Sequence, residues 1–497
     1  MVNPLFPRAA GVLLHPTSLP GPHGMGDLGG APAFLDWLAT AGMGVWQVLP
    51  LVPPGAAHSP YASPSAFSGN TWLIALSGLV ADGLLHKAEI VEPTVPEARA
   101  DFAAAEAFKA PLLRLAADRL IHDRQHPLRP GYVKYYHEQH WAVDAGLFHA
   151  IRQQEGHTAW WHWPKPLRTR DPQAIAHALE ALTDDVQRYV ALQYLFDRQW
   201  HWVRNHAAHR GIRIIGDVPI YVDGDSVDTW RHPELFQLDA HGQPRKVAGV
   251  PPDYFAEKGQ FWGNPLYDWN AMARDRYRWW AARLRRTLVH VDALRIDHFR
   301  GFAAYWAIPH TAPDATHGSW LRGPGLPLFT ALRREMGALP LIAEDLGVVD
   351  DAVVTLRDKS GLPGMKVLQF AFGDDARNPF LPHHHQPDSV VYTGTHDNDT
   401  TLGWWLASPD QHARVRRYLG PVDASTVAWR MVETAFASVA HTAIVPMQDV
   451  LGLGTEARMN VPGVADGNWS WRLQSGLLDG RLAGRLRELA VTYDRLR

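Results

Sequence analysis

Eight short apolar segments, spread along the whole chain, constrain the fold of this sequence more than any other feature. Most of them are continuous runs of apolar residues, which is the pattern of parallel strands that are covered on both faces. Stretches with helical periodicity lie between several segments, and alternating strands and helices favour a (β/α)8 barrel, the TIM barrel of the α/β class. The eight predicted strands are Gly11–His15, Val45–Leu51, Ile212–Pro219, His290–Asp297, Leu339–Leu346, Met365–Phe372, Ser389–Asp397 and Thr442–Val450.

The spacing of these segments is uneven, and the two longest gaps predict insertions in the barrel. The gaps after the second and third segments are far longer than a strand-to-strand crossover requires. We therefore expect one catalytic barrel over residues 1–497, with a mostly helical insertion near 75–205 and a substrate-loop region near 222–285. The tail 479–497 predicts the last helix of the barrel and leaves no room for a separate C-terminal β domain. Further helices are predicted at Glu97–Ile121, Gln139–Gln154 and Asp350–Ser360.

Three of the predicted strands end in a carboxylate. Asp297, Glu344 and Asp397 close the fourth, fifth and seventh segments. In a TIM barrel the C-terminal strand ends carry the chemistry, so we expect these three side chains to face one pocket. Retaining cleavage of a glycosidic bond needs two carboxyl groups, one that attacks the anomeric carbon and one that donates and then accepts a proton. The acidic strand ends therefore favour glycosidic bond chemistry.

The local sequence assigns different protonation states to two of these carboxylates. Arg295 and Asp297 lie two residues apart and therefore share one face of their strand. A guanidinium beside a carboxylate favours the ionised form, which suits a nucleophile, although a structural ion pair is the alternative. Glu344 lies within the apolar run 341–346, and burial raises the pKa of a carboxyl group, which suits a proton donor at neutral pH.

Composition excludes several other classes of protein. The 497 residues carry a formal net charge of −3, which gives no indication of a nucleic-acid partner or of an anionic membrane surface. The absence of cysteine excludes disulfides and thiolate metal sites. No stretch approaches the ~20 apolar residues of a membrane span, and no signal peptide is recognisable, so we expect a cytoplasmic protein.

Two further motifs could indicate a dinucleotide site or a metal site, and one alternative class of enzyme fits the acidic strand ends. Gly24–Gly29 fits the pattern GxGxxG, but it follows two prolines and lacks an acidic residue ~20 positions further on, so it predicts a loop and no dinucleotide site. The histidines 383–385 could bind a metal, but a solvated loop is the more typical structure. Acidic strand ends can also hold Mg²⁺, so a metal-dependent barrel enzyme stays open as an alternative.

The same segments resemble the amylomaltases, the 4-α-glucanotransferases or disproportionating enzymes that belong to the wider α-amylase group. The resemblance extends over nearly the whole chain and is to the short form of that family. The segments that carry it are Leu14–Pro22, Ser59–Tyr61, Gly216–Val222, Gly249–Pro265, Arg295–Gly301, Ala343–Gly347, Tyr392–Thr400 and Gly454–Arg472.

This resemblance implies transfer of α-1,4-glucan segments between glucans, or to glucose, by retaining double displacement and without a metal or organic cofactor. It implies that Asp297 is the nucleophile, that Glu344 is the general acid/base and that Asp397 grips sugar hydroxyls. The substrate-binding residues that it implies are Tyr61, Asp217, Tyr254, Phe255, Trp262, Arg295, His298, His396 and Asn468. An amylase-type hydrolase of α-1,4-glucans and a sugar-binding protein without chemistry are the alternative functions.

Overall fold

A row of eight parallel strands forms the centre of the computed structural model, which describes residues 7–91, 97–252, 257–347 and 349–496. The strands of the protein are β1 Ala9–Leu13, β2 Val45–Gln47, β3 Arg213–Val218, β4 Lys246–Val250, β5 Gln260–Pro265, β6 Ala293–Ile296, β7 Ala304–Pro309, β8 Ser319–Arg322, β9 Leu341–Ala343, β10 Gly364–Val367, β11 Ser389–Tyr392 and β12 Thr442–Pro446. The parallel row has the order β10-β11-β12-β1-β2-β3-β6-β9.

The row is nearly closed into a ring, and it confirms the predicted TIM barrel. The strands β9 and β10 stand at its two ends, and the N–H of Ala343 donates to the carbonyl of Pro363 at 2.9 Å between them. Each of the eight predicted strands overlaps one strand of this row. Every residue of β6 and β9 is buried, because side chains fill the barrel and helices cover it.

Helices surround the barrel and fill the long gap between β2 and β3. They are α1 Ala31–Thr40, α2 Leu76–Ala81, α3 Phe102–His122, α4 Arg129–Glu138, α5 His140–Gln154, α6 Lys165–Arg168, α7 Pro172–Ala181, α8 Thr183–His209, α9 Val227–Arg231, α10 Trp269–Arg274, α11 Arg278–Leu288, α12 Leu326–Met336, α13 Asp351–Ser360, α14 Thr401–Ala407, α15 His412–Leu419, α16 Val427–Ala437, α17 Met447–Leu451 and α18 Gly480–Thr492. The helices α3, α5 and α13 confirm three predicted helices, and α3 begins later than predicted because Asp101 caps it through the N–H of Ala104. The extents of the two insertions as units, 75–205 and 222–285, stay predictions.

A second sheet, which the sequence did not predict, lies beyond the barrel strands. It is antiparallel, with the order β5-β4-β7-β8, and it joins the connection after β3 to the connection after β6. Prolines and glycines interrupt the alternating pattern around β4 and β5, and the partner strand β7 lies far away in the sequence. The strands β4 and β5 lie within the predicted substrate-loop region 222–285, and the sequence did not predict them.

The C-terminal tail closes the structure on the first strand of the barrel. Its helix α18 was predicted, and Asp479 caps it by accepting from the N–H of Leu482. The buried guanidinium of Arg495 then donates to the carbonyls of Ala9 at 3.0 Å and His441 at 3.1 Å, which lie where β1 and β12 begin. No helix within the described ranges combines the length and the apolar character that crossing a membrane requires.

Candidate active site

Four acidic side chains stand at the C-terminal rim of the barrel, and a different strand delivers each one. Asp217 lies near the end of β3, Asp297 and Glu344 directly follow β6 and β9, and Asp397 lies in the loop between β11 and α14. The strands β3, β6 and β9 are consecutive neighbours, and parallel strands end at the same edge. The barrel therefore brings together the three carboxylates that the sequence predicted for one pocket, with Asp217 beside them.

Arg295 connects two of these carboxylates through its buried guanidinium. Its Nη2 donates to Oδ1 of Asp297 at 2.9 Å, and its Nη1 donates to Oδ2 of Asp217 at 2.7 Å. The same oxygen of Asp217 also accepts a hydrogen bond of 2.7 Å from the hydroxyl of Tyr61. The Asp297 side chain keeps 27 % of its surface accessible. Its Oδ1 is thus held in place, and part of the side chain stays accessible from the cleft.

Glu344 is fixed by backbone groups instead of side chains. Its Oε2 accepts a hydrogen bond of 2.7 Å from the N–H of His298, and its Oε1 accepts one of 2.9 Å from the N–H of Leu346. Ile296 and Ala343 are register partners on β6 and β9, so Asp297 and Glu344 follow paired positions. Glu344, the predicted proton donor, therefore binds the backbone N–H of the residue that directly follows Asp297, the predicted nucleophile.

Burial raises the pKa of both carboxyl groups. It raises the pKa of Asp297 to about 7; Arg295 acts to lower this pKa, while the charges of Asp217 and Asp397 raise it further. Burial likewise raises the pKa of Glu344 to about 8, with the charge of Asp297 adding to the rise. The neighbouring Arg295 predicts an ionised Asp297, but burial has the larger effect on the pKa of this carboxyl group. The two carboxyl groups influence each other's titration, so their protons leave in two steps that belong to the pair.

Asp397 and His396 face the same cleft from the opposite side of the rim. The side chain of Asp397 is 42 % exposed, and its Oδ1 accepts a hydrogen bond of 2.6 Å from the amide of Asn460. The ring of His396 stacks on the ring of Tyr61, with centroids 5.1 Å apart, and Trp469 lies within 6.0 Å of both rings. Because Tyr61 also binds Asp217, this aromatic group joins the two sides of the cleft.

Trp262 approaches the cleft from the antiparallel sheet. It lies on β5, and its ring meets the ring of His298 edge-on, with centroids 4.8 Å apart. His298 adopts a left-handed backbone conformation with φ of 50°, which is uncommon for a residue with a side chain. Burial lowers the pKa of His298 to about 3, so its ring is neutral at physiological pH. These two predicted substrate-binding residues therefore lie together, next to Asp297.

The remaining predicted substrate residues differ in where the structure places them. The amide of Asn468 accepts from the N–H of Val461 and donates to the carbonyl of Val464, so it holds a loop together. Tyr254 and Phe255 lie outside the described residues. Two cleft residues, Asn460 and Trp469, were not chosen from the sequence, although both lie in the segment Gly454–Arg472 that carries the family resemblance.

The glycine-rich motif 24–29 and the histidines 383–385 both form hydrogen bonds within the fold. Oδ2 of Asp27, within the glycine-rich motif, accepts from the buried ammonium of Lys109 at 2.9 Å, which ties this loop to α3. His384 bonds to the carbonyl of Ala376, and His385 bonds to the hydroxyl of Ser438, each at 2.8 Å. Across the ranges that the structure describes, no group of three or more histidine or acidic residues is arranged to hold a metal ion.

Comparison with known proteins identifies the family. A family model described as 4-alpha-glucanotransferase matches residues 14–478. The chain belongs to the 4-alpha-glucanotransferase family. It is 47 % identical over 501 residues to the 4-alpha-glucanotransferase of Thermus thermophilus, covering 99 % of this chain and 100 % of the relative. It is also 47 % identical over 501 residues to the chloroplastic/amyloplastic 4-alpha-glucanotransferase of Solanum tuberosum, covering 98 % of this chain and 87 % of the relative.

A solved structure of the same family supports the barrel fold. The amylomaltase from Streptococcus agalactiae, in complex with acarbose, superposes with a TM-score of 0.95 at 35 % identity, covering 99 % of this chain and 100 % of the other. The predicted fold, family and enzyme class are thus confirmed: this is a 4-alpha-glucanotransferase with a TIM barrel. The roles of the individual site residues are a separate question, which the geometry of the cleft addresses.

Proposed function

We propose that this 4-alpha-glucanotransferase moves an α-1,4-glucan segment from a donor maltooligosaccharide or starch-like glucan to the 4-hydroxyl of an acceptor glucan or glucose. The observation that carries the proposal is the pairing of Asp297, bound to Arg295, with Glu344, bound to the N–H of His298. Two carboxyl groups with different proton affinities on neighbouring strands fit a retaining double displacement.

In the first step Asp297 attacks the anomeric carbon of the donor. A bond forms between a carboxylate oxygen of Asp297 and that carbon, while the glycosidic bond breaks and its oxygen takes the proton of Glu344. The raised pKa of Glu344, about 8, keeps this proton available at neutral pH. The leaving glucan departs with a free 4-hydroxyl, and an ester joins the remaining glucan to Asp297.

In the second step the ionised Glu344 accepts the proton of the acceptor 4-hydroxyl. The acceptor oxygen attacks the anomeric carbon, the ester bond to Asp297 breaks, and the α configuration is restored. Glu344 thus regains its proton, and Asp297 regains its charge. Arg295 stabilises that charge in both half-reactions, since it donates to Oδ1 of Asp297 in a buried site.

The surrounding residues position the sugar. Asp397 offers an exposed carboxylate to ring hydroxyls, and His396 lies next to it, with its Nε2 3.4 Å from Oδ1 of Asp397. Tyr61 and Asp217 form the floor of the donor side, and Trp262 with His298 form a wall beside the nucleophile. Tyr254, Phe255 and Asn468 are part of the same proposal through the family resemblance, as further contacts along the glucan path.

The product pattern from maltotriose alone tests this function. Transfer yields glucose and a ladder of shorter and longer maltooligosaccharides, whereas maltose and glucose alone would identify a hydrolase. A sugar-binding protein would produce no new compound, and loss of activity after dialysis against a chelator would identify a metal-dependent enzyme. The Asp297→Asn variant should produce no ladder. A cytoplasmic location belongs to the same proposal, and recovery of the enzyme from a secreted fraction would contradict it.

A further inference from the structure

Asp397 is held differently from the other two carboxylates of the cleft. Asp297 is bound by the guanidinium of Arg295, and Glu344 is bound by two backbone N–H groups. Within the described ranges, His396 is the only basic side chain within ion-pair distance of the Asp397 carboxylate. Its Nε2 lies 3.4 Å from Oδ1. Burial lowers the pKa of His396, so that ring is neutral at physiological pH and holds Asp397 weakly.

A second segment of the chain binds this loop at three points and is braced by one bond of its own. The amide Nδ2 of Asn460 donates to Oδ1 of Asp397 at 2.6 Å, and the backbone N–H of Asn460 donates to the carbonyl of His396 at 3.0 Å. The guanidinium of Arg458 donates to the backbone carbonyl of Asp397 at 2.6 Å and to that of Asn460 at 2.8 Å. Two of these bonds fix the backbone of the loop, the bond between Arg458 and Asn460 braces the second segment, and only the bond from the Asn460 amide fixes the carboxylate itself.

We propose that Asn460 is a positioning residue that fixes the carboxylate of Asp397 by binding Oδ1, so that Oδ2 is presented to the sugar hydroxyls. This inference rests on the proposed role of Asp397 in sugar binding. A carboxylate that is 42 % exposed has room to rotate about its side-chain torsions, and rotation would move Oδ2 away from a bound sugar. A hydrogen bond to a charged group that removes this freedom is a strong restraint.

An asparagine suits this position better than a lysine or an arginine. Its amide donates to Asp397 without adding a cation, so the carboxylate keeps its full capacity to accept hydrogen bonds from neutral sugar hydroxyls. An added cation would also act on Asp297, whose pKa the charge of Asp397 raises. The neutral amide therefore orients Asp397 and leaves the electrostatics of the nucleophile unchanged.

Two substitutions at position 460 separate positioning from a general loss of structure. Asn460→Ala removes only the side-chain bond, because both backbone contacts of residue 460 remain. We expect kcat/KM for maltotriose to fall by about 10- to 100-fold, the value of a hydrogen bond to a charged group. Circular dichroism and the thermal midpoint should stay within about 2 °C of the wild type. Asn205→Ala and Asn205→Asp, at an exposed position of α8, are the matched controls.

Asn460→Asp supplies a readout that a purely structural role would not change. Two carboxyl groups at the distance of the present bond share one proton, so the pKa of the pair rises. While the shared proton remains, the introduced carboxyl group donates to Asp397 as the amide does; when it leaves, the two anions repel each other. The ratio of variant to wild-type kcat/KM should therefore be near one-third or higher at pH 5.5 and fall by about tenfold or more by pH 8. The ratio for Asn460→Ala should not depend on pH.

The groups that face the pair do not produce this dependence by themselves. His396, Tyr61, Asp297 and Arg458 surround Asp397 and are the same in both variants and in the wild type. Asn460→Ala adds no charge, so the titration of these groups cancels in its ratio. In Asn460→Asp the ionised carboxylate also raises the pKa of Asp297, which lowers the ratio at low pH and is therefore opposite to the fall with rising pH that loss of the shared proton produces. An Asn460→Ala variant with wild-type kcat/KM, or an Asn460→Asp ratio that stays constant with pH, would overturn the role of Asn460. An Asp397→Asn variant that keeps full transfer activity would instead overturn the proposed function of Asp397.

Discussion

The backbone N–H of His298 donates a hydrogen bond of 2.7 Å to the carboxyl group of Glu344. Because His298 directly follows Asp297, this bond sets the position of the proposed acid/base relative to the proposed nucleophile. The donor is a peptide group, so substituting the side chain of either neighbour leaves it in place. Glutamine at position 344 can offer its carbonyl oxygen to the same N–H, although its NH2 group cannot accept from the N–H of Leu346 as Oε1 of Glu344 does.

We expect Glu344→Gln to reduce activity chiefly through the loss of proton transfer. The kcat for maltotriose should fall by at least about 100-fold, the lower end of a general acid–base contribution. A donor with a leaving group that needs no proton, such as α-maltosyl fluoride, should restore ester formation. Mass spectrometry should then detect the glucan attached to Asp297, since its transfer still lacks a base. A variant that retains more than about a tenth of the wild-type rate would exclude Glu344 as the acid/base.

The pH profile of the wild type should be a narrow bell. Activity requires Asp297 without its proton and Glu344 with its proton. Burial raises the pKa of both groups above the ordinary range of a carboxyl group, and the pair titrates in two steps, so kcat/KM should rise through the lower apparent pKa and fall through the upper one. With α-maltosyl fluoride as donor, Glu344→Gln should lose the alkaline limb and keep the acid limb. An alkaline limb that persists in this variant would assign it to another group.

The sequence predicted the barrel because the eight buried strands carry a signal that is local to each of them. It predicted that Asp297, Glu344 and Asp397 lie at one rim, because the rule that strand ends carry the chemistry needs no knowledge of contacts. It missed the antiparallel sheet because β4 pairs with β7, a strand far away in the sequence. Such pairing leaves no periodic pattern in the sequence of either strand. It missed Asn460 for the same reason, because this residue acts on Asp397 from a loop 63 positions away.

Arg295→Lys should disable the nucleophile. A lysine presents one compact ammonium group and does not reproduce the two separate contacts to Asp217 and Asp297. We expect kcat to fall by about 100-fold or more. Since Arg295 lowers the pKa of Asp297, the acid limb of kcat/KM should also move to higher pH. Arg278→Lys, whose side chain is 74 % exposed, is the control and should change neither quantity. An unshifted acid limb in Arg295→Lys would contradict the assignment of that limb.

Trp262→Ala should increase hydrolysis relative to transfer. The indole packs edge-on against His298 and covers the space next to the nucleophile, so its removal admits water to the ester on Asp297. We expect the number of newly formed reducing ends per glucose released from maltotriose to rise several-fold. The rate of ester formation should fall less than the rate of transfer does. Trp202→Ala, an exposed tryptophan on α8, is the matched control. An unchanged ratio would show that Trp262 does not exclude water.

Asp197 lies far from the cleft, and Asp197→Asn should lower the free energy of unfolding by an amount that depends on pH. Asp197 accepts two hydrogen bonds from Arg286, at 2.8 and 2.9 Å, and one of 2.8 Å from His290. Burial acts to raise its pKa, but Arg286 and His290 outweigh burial and hold the pKa below its usual range. A lowered carboxyl pKa stabilises the folded state above the unfolded value of about 4, and this contribution is lost as pH falls through the folded value.

At pH 7 the Asp197→Asn variant leaves Arg286 without its buried anion, which costs about 3 to 5 kcal/mol. Its thermal midpoint should therefore lie several degrees below that of the wild type. The difference should narrow below about pH 4, because Asp197 gains its proton in the unfolded chain at a higher pH than in the folded protein. Asp185→Asn removes an exposed partner of Arg188 and should shift the midpoint by less than a degree or so. If Asp197→Asn lowers the thermal midpoint equally at pH 7 and at pH 3, the charge of Asp197 contributes nothing to stability, and only the shape of its side chain does.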